Sequence, residues 1–123
     1  MQLHLLYVSA GITVFIAATH SYLGEKRILP RLIAGVGTLL RRDPKLMGSI
    51  LRWAWHLTSL AWFALALLLV SFTRIPADTR ALPVAIITAC LALSGLVCLV
   101  TTRGKHVAWP FFLAASVTAI FGA

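Results

Sequence analysis

Apolar residues along the chain are gathered into four long runs, separated by shorter polar connections. The runs cover residues 3–23, 49–72, 82–102 and 107–122. Crossing about 30 Å of hydrocarbon takes roughly 20 apolar residues in a helix, and lipid offers no partner for unpaired backbone groups. The pattern therefore predicts an all-α fold: an integral membrane four-helix bundle whose successive helices run up and down.

The composition supports the membrane class. Of the 123 residues, 60% are hydrophobic and 11% are charged, whereas soluble domains carry about 25% charged residues. A water-soluble domain of this size leaves much of its surface exposed and could not bury so much apolar side chain. No linker rich in Gly or Ser divides the chain, and we expect residues 1–123 to form a single transmembrane domain.

The basic residues predict the orientation of the bundle. Eleven Lys and Arg against three Asp and Glu give a net charge of +8. Nine of these bases lie in the first connection, at the start of the second run or in the third connection; only Arg74 and Arg80 lie in the second. Because cytoplasmic connections carry an excess of Lys and Arg, we expect both termini on the non-cytoplasmic side of a bacterial inner membrane. The same bases favour anionic headgroups of the lipid bilayer and not nucleic acid.

The first connection, residues 24–48, is long enough to have structure of its own. Ile28, Leu32 and Val36 recur near helical spacing, with basic residues between them. This spacing is typical of an amphipathic cytoplasmic segment that lies in the plane of the membrane interface. Pro30 and the nearby glycines leave an irregular loop as the alternative.

The four histidines are the most informative polar side chains. His4 begins the first run, and His20 lies about 24 Å further along that helix. His56 is one to two turns into the second run, and His106 begins the fourth. The predicted topology therefore brings His20, His56 and His106 to one depth near the cytoplasmic side and leaves His4 at the other end.

Imidazole is a common ligand of heme iron and of transition-metal ions. Two histidines at similar depth on different helices predict His20 and His56 as axial ligands of heme b, with Arg52 near its propionates. In the alternative site, His20, His56 and His106 bind a transition-metal ion, with Glu25 as fourth ligand or as a hydrogen-bond partner of a ligand. The other interpretation is that the histidines form a hydrogen-bonded structural pair or pack separately, with no ligand.

Residues 20–29 (HSYLGEKRIL) and 51–59 (LRWAWHLTS) resemble a group of small bacterial four-helix integral membrane proteins of uncharacterised activity. The resemblance covers the cytoplasmic halves of the first two runs. It implies a four-helix fold and draws attention to His20, His56 and Glu25, but it does not reach His106. It implies no reaction or substrate.

The sequence leaves three functions open. A bound heme would favour electron transfer, with quinone as a partner. The second candidate is an accessory or structural subunit of a larger membrane complex, and the third is a small transporter formed by a homo-oligomer. A Ser-His-Asp hydrolase is not indicated, because Asp43 and Asp78 both lie in connections. The sequence does not decide whether the protein is an enzyme.

Overall fold

The computed structural model describes residues 2–39 and 43–123, and the regular structure in these ranges is entirely helical. The elements are α1 (Gln2–Leu23), a π-helical turn (Gly24–Ile28), α2 (Leu29–Leu39), α3 (Pro44–Phe72), α4 (Ala77–Thr102) and α5 (Ala108–Gly122). Three helical stretches are long and apolar enough to cross a membrane, namely Leu3–Gly35, Lys45–Phe72 and Ala77–Thr102, and α5 is a shorter apolar helix. The prediction of an all-α fold is confirmed.

Helix α3 begins earlier than the hydrophobic pattern predicts, at Pro44 instead of residue 49. The side chain of Asp43 accepts a hydrogen bond of 3.0 Å from the backbone N–H of Lys45 and so caps the helix. Proline suits the first position of a helix because its missing N–H would have no partner there. The start of α3 is therefore set by these capping residues and not by the apolar run.

Helix α4 also begins early, at Ala77 instead of residue 82. The carbonyl of Pro76 accepts backbone N–H groups from Thr79 and Arg80 at 3.1 and 3.0 Å, which forms the first turn. Pro83, which the sequence places at the edge of the second connection, lies inside the helix. The connection between α3 and α4 is consequently only four residues long, from Thr73 to Pro76.

The sequence predicts the first connection to be a separate amphipathic segment in the plane of the membrane interface, and the structure differs from this prediction. Helix α2 continues α1 through the π-helical turn and packs against α3. Pro30 lacks an N–H, and in an α-helix its ring would clash with the carbonyl four residues earlier, that of Lys26. A widened turn in front of proline relieves this clash, and the N–H of Leu29 accordingly bonds the carbonyl of Gly24, five residues back.

Helices α3, α1, α5 and α4 pack side by side in this order, and the two outer helices of this row make few contacts with each other. Helix α1 packs against α3 on one side and α5 on the other, and α5 packs against α4. Contacts between α3 and α4 are sparse, although a short connection joins them. We call the end of the bundle where α1 finishes and α5 begins the basic end, because Lys26, Arg27, Lys45, Arg103 and Lys105 lie there.

The tightly packed core fills the half of the bundle away from the basic end and extends to Ile16 and Phe112. It includes Leu6 and Leu69, both fully buried, and small residues that let the helices approach closely. The hydroxyl of buried Ser9 donates a hydrogen bond of 2.7 Å to the carbonyl of Ala115 and so joins α1 to α5. The half near the basic end is looser, and the candidate site lies there.

Gly95 lets α4 and α5 approach closely. A Cβ at this position would lie 3.0 Å from Cδ2 of Leu113 and 3.1 Å from Cβ of Phe112. We expect Gly95→Val to force the helices apart and to lower the free energy of unfolding by about 1–3 kcal/mol. Denaturant titration of the detergent-solubilised protein measures this, with Gly11→Val as control because space at Gly11 is open. Equal losses in the two variants would contradict the packing argument.

Candidate functional site

Helices α1 and α3 are joined near the basic end by two reciprocal contacts between a histidine and a serine. Nδ1 of His20 lies 2.9 Å from Oγ of Ser59, and Nδ1 of His56 lies 2.9 Å from Oγ of Ser21. Each helix thus contributes one imidazole and one hydroxyl. Ser59 is buried, whereas the other three residues are partly exposed.

Glu25 extends the second of these contacts into a cluster. Its Oε2 lies 3.2 Å from Nε2 of His56 and accepts a hydrogen bond of 3.2 Å from Nε of Arg52. Its Oε1 lies 3.1 Å from a second guanidinium nitrogen of Arg52, so the ion pair is bidentate. We call Ser21, Glu25, Arg52 and His56 the polar cluster. The side chains of Glu25, Arg52 and His56 are 42%, 51% and 40% exposed, so the cluster is accessible from outside the bundle.

Helical spacing explains why these side chains meet. Ser21 and Glu25 are four residues apart on one face of α1 and the turn that follows it, and Arg52 and His56 are four apart on one face of α3. Residues four apart on a helix are neighbours on its surface. Because α1 and α3 pack as antiparallel neighbours, the two faces meet with Ser21 opposite His56 and Glu25 between Arg52 and His56.

The ring of His20 is enclosed by aromatic side chains of α3. Trp55 stacks on it with ring centroids 4.4 Å apart and an interplanar angle of 3°, and Trp62 meets its edge at 5.0 Å. The indole Nε1 of Trp55 also donates a hydrogen bond of 2.9 Å to the backbone carbonyl of His20. The orientation of this imidazole is therefore fixed by two rings and by the contact to Ser59.

Gly24 provides the space that Trp55 occupies. Gly24 is buried, and a Cβ there would overlap the Nε1, Cε2 and Cδ1 atoms of the indole. A glycine at this position is thus required by close packing of the helix backbone on a side chain, and not by its backbone conformation, which is helical.

A cavity of about 690 Å³ opens beside His20. A volume of this order is typical of small-molecule sites. The lining is mainly apolar and aromatic. It comes from α1, the π-helical turn, α3, α4, the connection after α4, and α5: Phe15, Ile16, Thr19, His20, Leu23, Ile28, Trp55, Trp62, Leu93, Ser94, Val97, Cys98, His106, Val107, Ala108, Phe111 and Phe112. None of these lining residues is Lys, Arg, Asp or Glu. Two imidazoles are therefore the main polar groups that a ligand would meet.

His106 is the second imidazole of the cavity. Its Nδ1 accepts a hydrogen bond of 3.2 Å from the backbone N–H of Ala108 at the start of α5. Because a neutral imidazole has one donor and one acceptor nitrogen, this contact places the proton on Nε2. His106 thus offers a hydrogen-bond donor to the cavity in this tautomer, and not a metal-binding lone pair.

The structure separates the predicted site residues into two groups. His20 and His106 line the cavity, whereas His56, Glu25 and Arg52 belong to the polar cluster and are not among the lining residues. Both ring nitrogens of His56 have polar partners. Nε2 of His20 has no hydrogen-bond partner in the described ranges, so it is the nitrogen available to a ligand.

The described residues contain no group of three or more His, Cys, Asp or Glu side chains placed to hold a metal ion. The predicted set of His20, His56, His106 and Glu25 is divided between the cavity and the polar cluster. Within the described ranges, these four residues therefore do not form one metal site.

Ser21 and Ser59, which neighbour the histidines in the sequence, are candidates to orient the imidazoles, and each contacts the histidine of the other helix. Sequence reasoning missed Trp55, which stacks on His20, and Gly24, which makes room for the indole. The signal that could have found them is the spacing of four residues between His20 and Gly24 and between Trp55 and Ser59, which parallels that of the polar cluster. Two such pairs on each of two neighbouring helices indicate a specific packing register.

No protein-family model, curated protein or solved structure matches this chain.

Proposed function

We propose that this chain is an integral membrane protein that binds heme b in the cavity near its basic end, with Nε2 of His20 as axial ligand. The observation that carries the proposal is the position of His20: its ring lines a cavity of about 690 Å³, and its other nitrogen is engaged by Ser59. The length and apolar character of the helices fit the membrane setting.

The contact between His20 and Ser59 suits metal ligation. Histidines that bind a metal usually donate their second N–H to a neighbouring oxygen, which fixes the tautomer and the ring orientation. With Nδ1–H donated to Oγ of Ser59 at 2.9 Å, the lone pair of Nε2 is left for the iron. Stacking on Trp55 keeps the ring in this orientation before a ligand arrives.

The walls of the cavity suit a flat aromatic macrocycle. Phe15 packs on Phe111 with ring centroids 5.4 Å apart, and Trp62 packs on Phe112 at 5.0 Å. Aromatic and aliphatic walls exclude water, and heme supplies one-electron redox chemistry when bound. His106 would donate its Nε2–H inside the same cavity. We propose electron transfer as the activity that such a site would support.

The orientation of the protein is part of the same proposal. Lys26, Arg27, Arg103 and Lys105 lie at the basic end. Because cytoplasmic connections carry an excess of Lys and Arg, we place this end on the cytoplasmic side of a bacterial membrane, where it contacts anionic headgroups. The bases at this end would attract the carboxylates of a bound tetrapyrrole.

The visible absorption spectrum tests the proposal. The full chain is produced with heme precursor supplied, purified in mild detergent and scanned before and after reduction by dithionite, and bound metals are assayed in the same sample. We expect a Soret band and a redox-dependent α band at about one heme per chain. A protein that is colourless under these conditions, and that retains no Soret band after hemin is added and the unbound excess is removed, would rule heme out.

A second candidate ligand is a lipid-soluble quinone. It is favoured by the lack of charged residues in the lining and by the sparse contact between α3 and α4, which leaves the cavity open on that side. His20 and His106 would then be hydrogen-bond partners of the quinone carbonyls. Organic extraction of the purified protein followed by mass spectrometry distinguishes this candidate, since a stoichiometric quinone without a Soret band would replace heme.

A further inference from the structure

The polar cluster contains a serine, a histidine and a carboxylate in line. Oγ of Ser21 lies 2.9 Å from Nδ1 of His56, and the opposite nitrogen of the same ring lies 3.2 Å from Oε2 of Glu25. This is the connectivity of a nucleophile, a general base and a group that orients the base. None of the three residues lines the heme cavity.

The partners of His56 determine the direction of its hydrogen bonds. A carboxylate only accepts hydrogen bonds, so Nε2 of neutral His56 carries the proton and donates it to Glu25. Nδ1 then has a free lone pair, and the hydroxyl of Ser21 is the donor in the contact at 2.9 Å. The imidazole is therefore in the tautomer that can take a proton from the serine.

The remaining contacts hold this tautomer in place. Arg52 binds both oxygens of Glu25, at 3.1 and 3.2 Å, and so holds the carboxylate beside His56. Glu25 and Arg52 act through His56 and are positioning residues. The partial exposure of Ser21 and His56 leaves the hydroxyl reachable from outside the bundle.

The depth of the cluster indicates the class of substrate. Ser21 lies within one turn of the end of α1, and Trp53 and Trp55, residues that favour the membrane–water boundary, are at the same level of α3. In a bilayer, the ester groups of glycerolipids lie at this boundary between acyl chains and headgroups. Exposed Lys26 and Arg27 follow directly in the chain and favour a substrate with an anionic headgroup.

We propose that Ser21, His56 and Glu25 form an acyl-transfer site at which Ser21 attacks a carboxylic ester bond of an anionic membrane lipid. Asp43 is the N-cap of α3 and Asp78 lies in the first turn of α4, and neither of the two aspartates of the chain takes part in this site. Glu25 takes the role that aspartate has in a Ser-His-Asp triad, because it orients the imidazole of His56.

The proposed reaction balances with water as the only co-substrate. Oγ of Ser21 bonds to the ester carbonyl carbon while its proton passes to Nδ1 of His56. The tetrahedral adduct then breaks its bond to the alcohol half of the lipid, and the imidazolium returns the proton to the leaving oxygen. Water, deprotonated by the same nitrogen, attacks the acyl-serine and releases the fatty acid, which restores the hydroxyl of Ser21.

A fluorophosphonate–biotin probe tests for the activated serine. The full chain is reconstituted in vesicles of phosphatidylglycerol and phosphatidylcholine and treated with the probe, and the modified residue is mapped by mass spectrometry. We expect the label on Ser21, its loss in Ser21→Ala, and a rate about 10²–10⁴-fold lower in His56→Ala. Ser71→Ala is the matched control, because this exposed hydroxyl donates only to Leu67 of its own helix.

The role of Glu25 is tested by the same rate constant. Glu25→Gln is expected to slow labelling of Ser21, and Glu25→Asp to recover part of the rate. Release of free fatty acid from phosphatidylglycerol vesicles by the wild-type protein, and not by Ser21→Ala, identifies the ester substrate. Wild-type protein that carries no label on Ser21 would overturn the proposal, and this result does not depend on the folding of any variant.

The outcomes for the two sites are independent. A protein without a Soret band but with a labelled Ser21 contradicts heme binding and supports the acyl-transfer site. A protein that binds heme but carries no label on Ser21 supports heme binding and contradicts the acyl-transfer site.

Discussion

Replacing His20 with alanine is expected to remove the heme bands from the reconstituted protein, whereas replacing His4 leaves them unchanged. His20 is the lining residue whose Nε2 is available for iron, while His4 is exposed near the other end of α1. The loss should exceed the roughly 10–100-fold effect seen when a residue behind a metal ligand is removed. Titration of hemin into the detergent-solubilised variants, followed at the Soret band, measures the affinity.

The result for His20→Ala is interpretable only if the variant keeps its fold. Removal of the imidazole leaves Ser59 without its 2.9 Å partner and Trp55 without its stacking ring, so the fold is checked by circular dichroism and gel filtration. His20→Met, which offers a different iron ligand, is expected to bind hemin with a shifted spectrum. Unchanged bands in a folded His20→Ala variant would show that another residue holds the iron.

Gly24→Ala is expected to destabilise the protein although alanine is the better helix former. A Cβ at Gly24 would overlap the indole of Trp55, which must move and give up its hydrogen bond to the carbonyl of His20. Overpacking costs about 1–3 kcal/mol and the lost hydrogen bond about 0.5–1.5 kcal/mol. Alanine recovers up to about 1 kcal/mol of helix propensity. We expect a net loss between about 0.5 and 4.5 kcal/mol.

Gly11 provides the matched control for this substitution, because it lies in α1 and a methyl group added there would meet nothing within 4 Å. Gly11→Ala should leave the free energy of unfolding unchanged or raise it by up to about 1 kcal/mol. Denaturant titration followed by tryptophan fluorescence compares the two variants and also reports on Trp55. A Gly24→Ala protein as stable as Gly11→Ala would contradict the packing of α1 on Trp55.

Most of the helical architecture could be predicted because apolar runs record it directly. The ends of α1 and α5 agree with the sequence to within one residue. The starts of α3 and α4 do not, since polar capping turns precede the apolar residues there. Asp43 before Pro44 and the turn after Pro76 are recognisable capping signals, and they decide where these helices begin.

The site was only partly predictable, because a sequence gives the depth of a residue more readily than its direction around the helix. Counting residues brings His20 and His56 to a similar level, and the structure does place them on facing helices. Each ring, however, pairs with a serine of the other helix, and only His20 lines the cavity. The contribution of His106 to the cavity depends on the packing of α5 against α1, which no local pattern records.

The carboxylate of the polar cluster is a glutamate, so a search for a motif that contains aspartate does not find it. Asp43 caps α3 and Asp78, which the sequence places in a connection, lies in the first turn of α4. Glu25 supplies a carboxylate just beyond the end of α1. Ser21 and Glu25 are four residues apart, so their common face could be predicted from the sequence. Their pairing with His56 required the register between α1 and α3, which depends on Gly24 and Trp55.

The continuous helix from Leu3 to Gly35 has 33 residues, which corresponds to a length of about 50 Å. The hydrocarbon of a bilayer is about 30 Å thick. In the proposed orientation, about 20 Å of this helix therefore extends beyond the hydrocarbon into the headgroups and the water. The π-helical turn from Gly24 to Ile28 lies where this extension begins. Sharp bends in helices are often found at such turns. Glu25 is one of the five residues of this turn, so in the proposed orientation the polar cluster lies where the helix leaves the hydrocarbon.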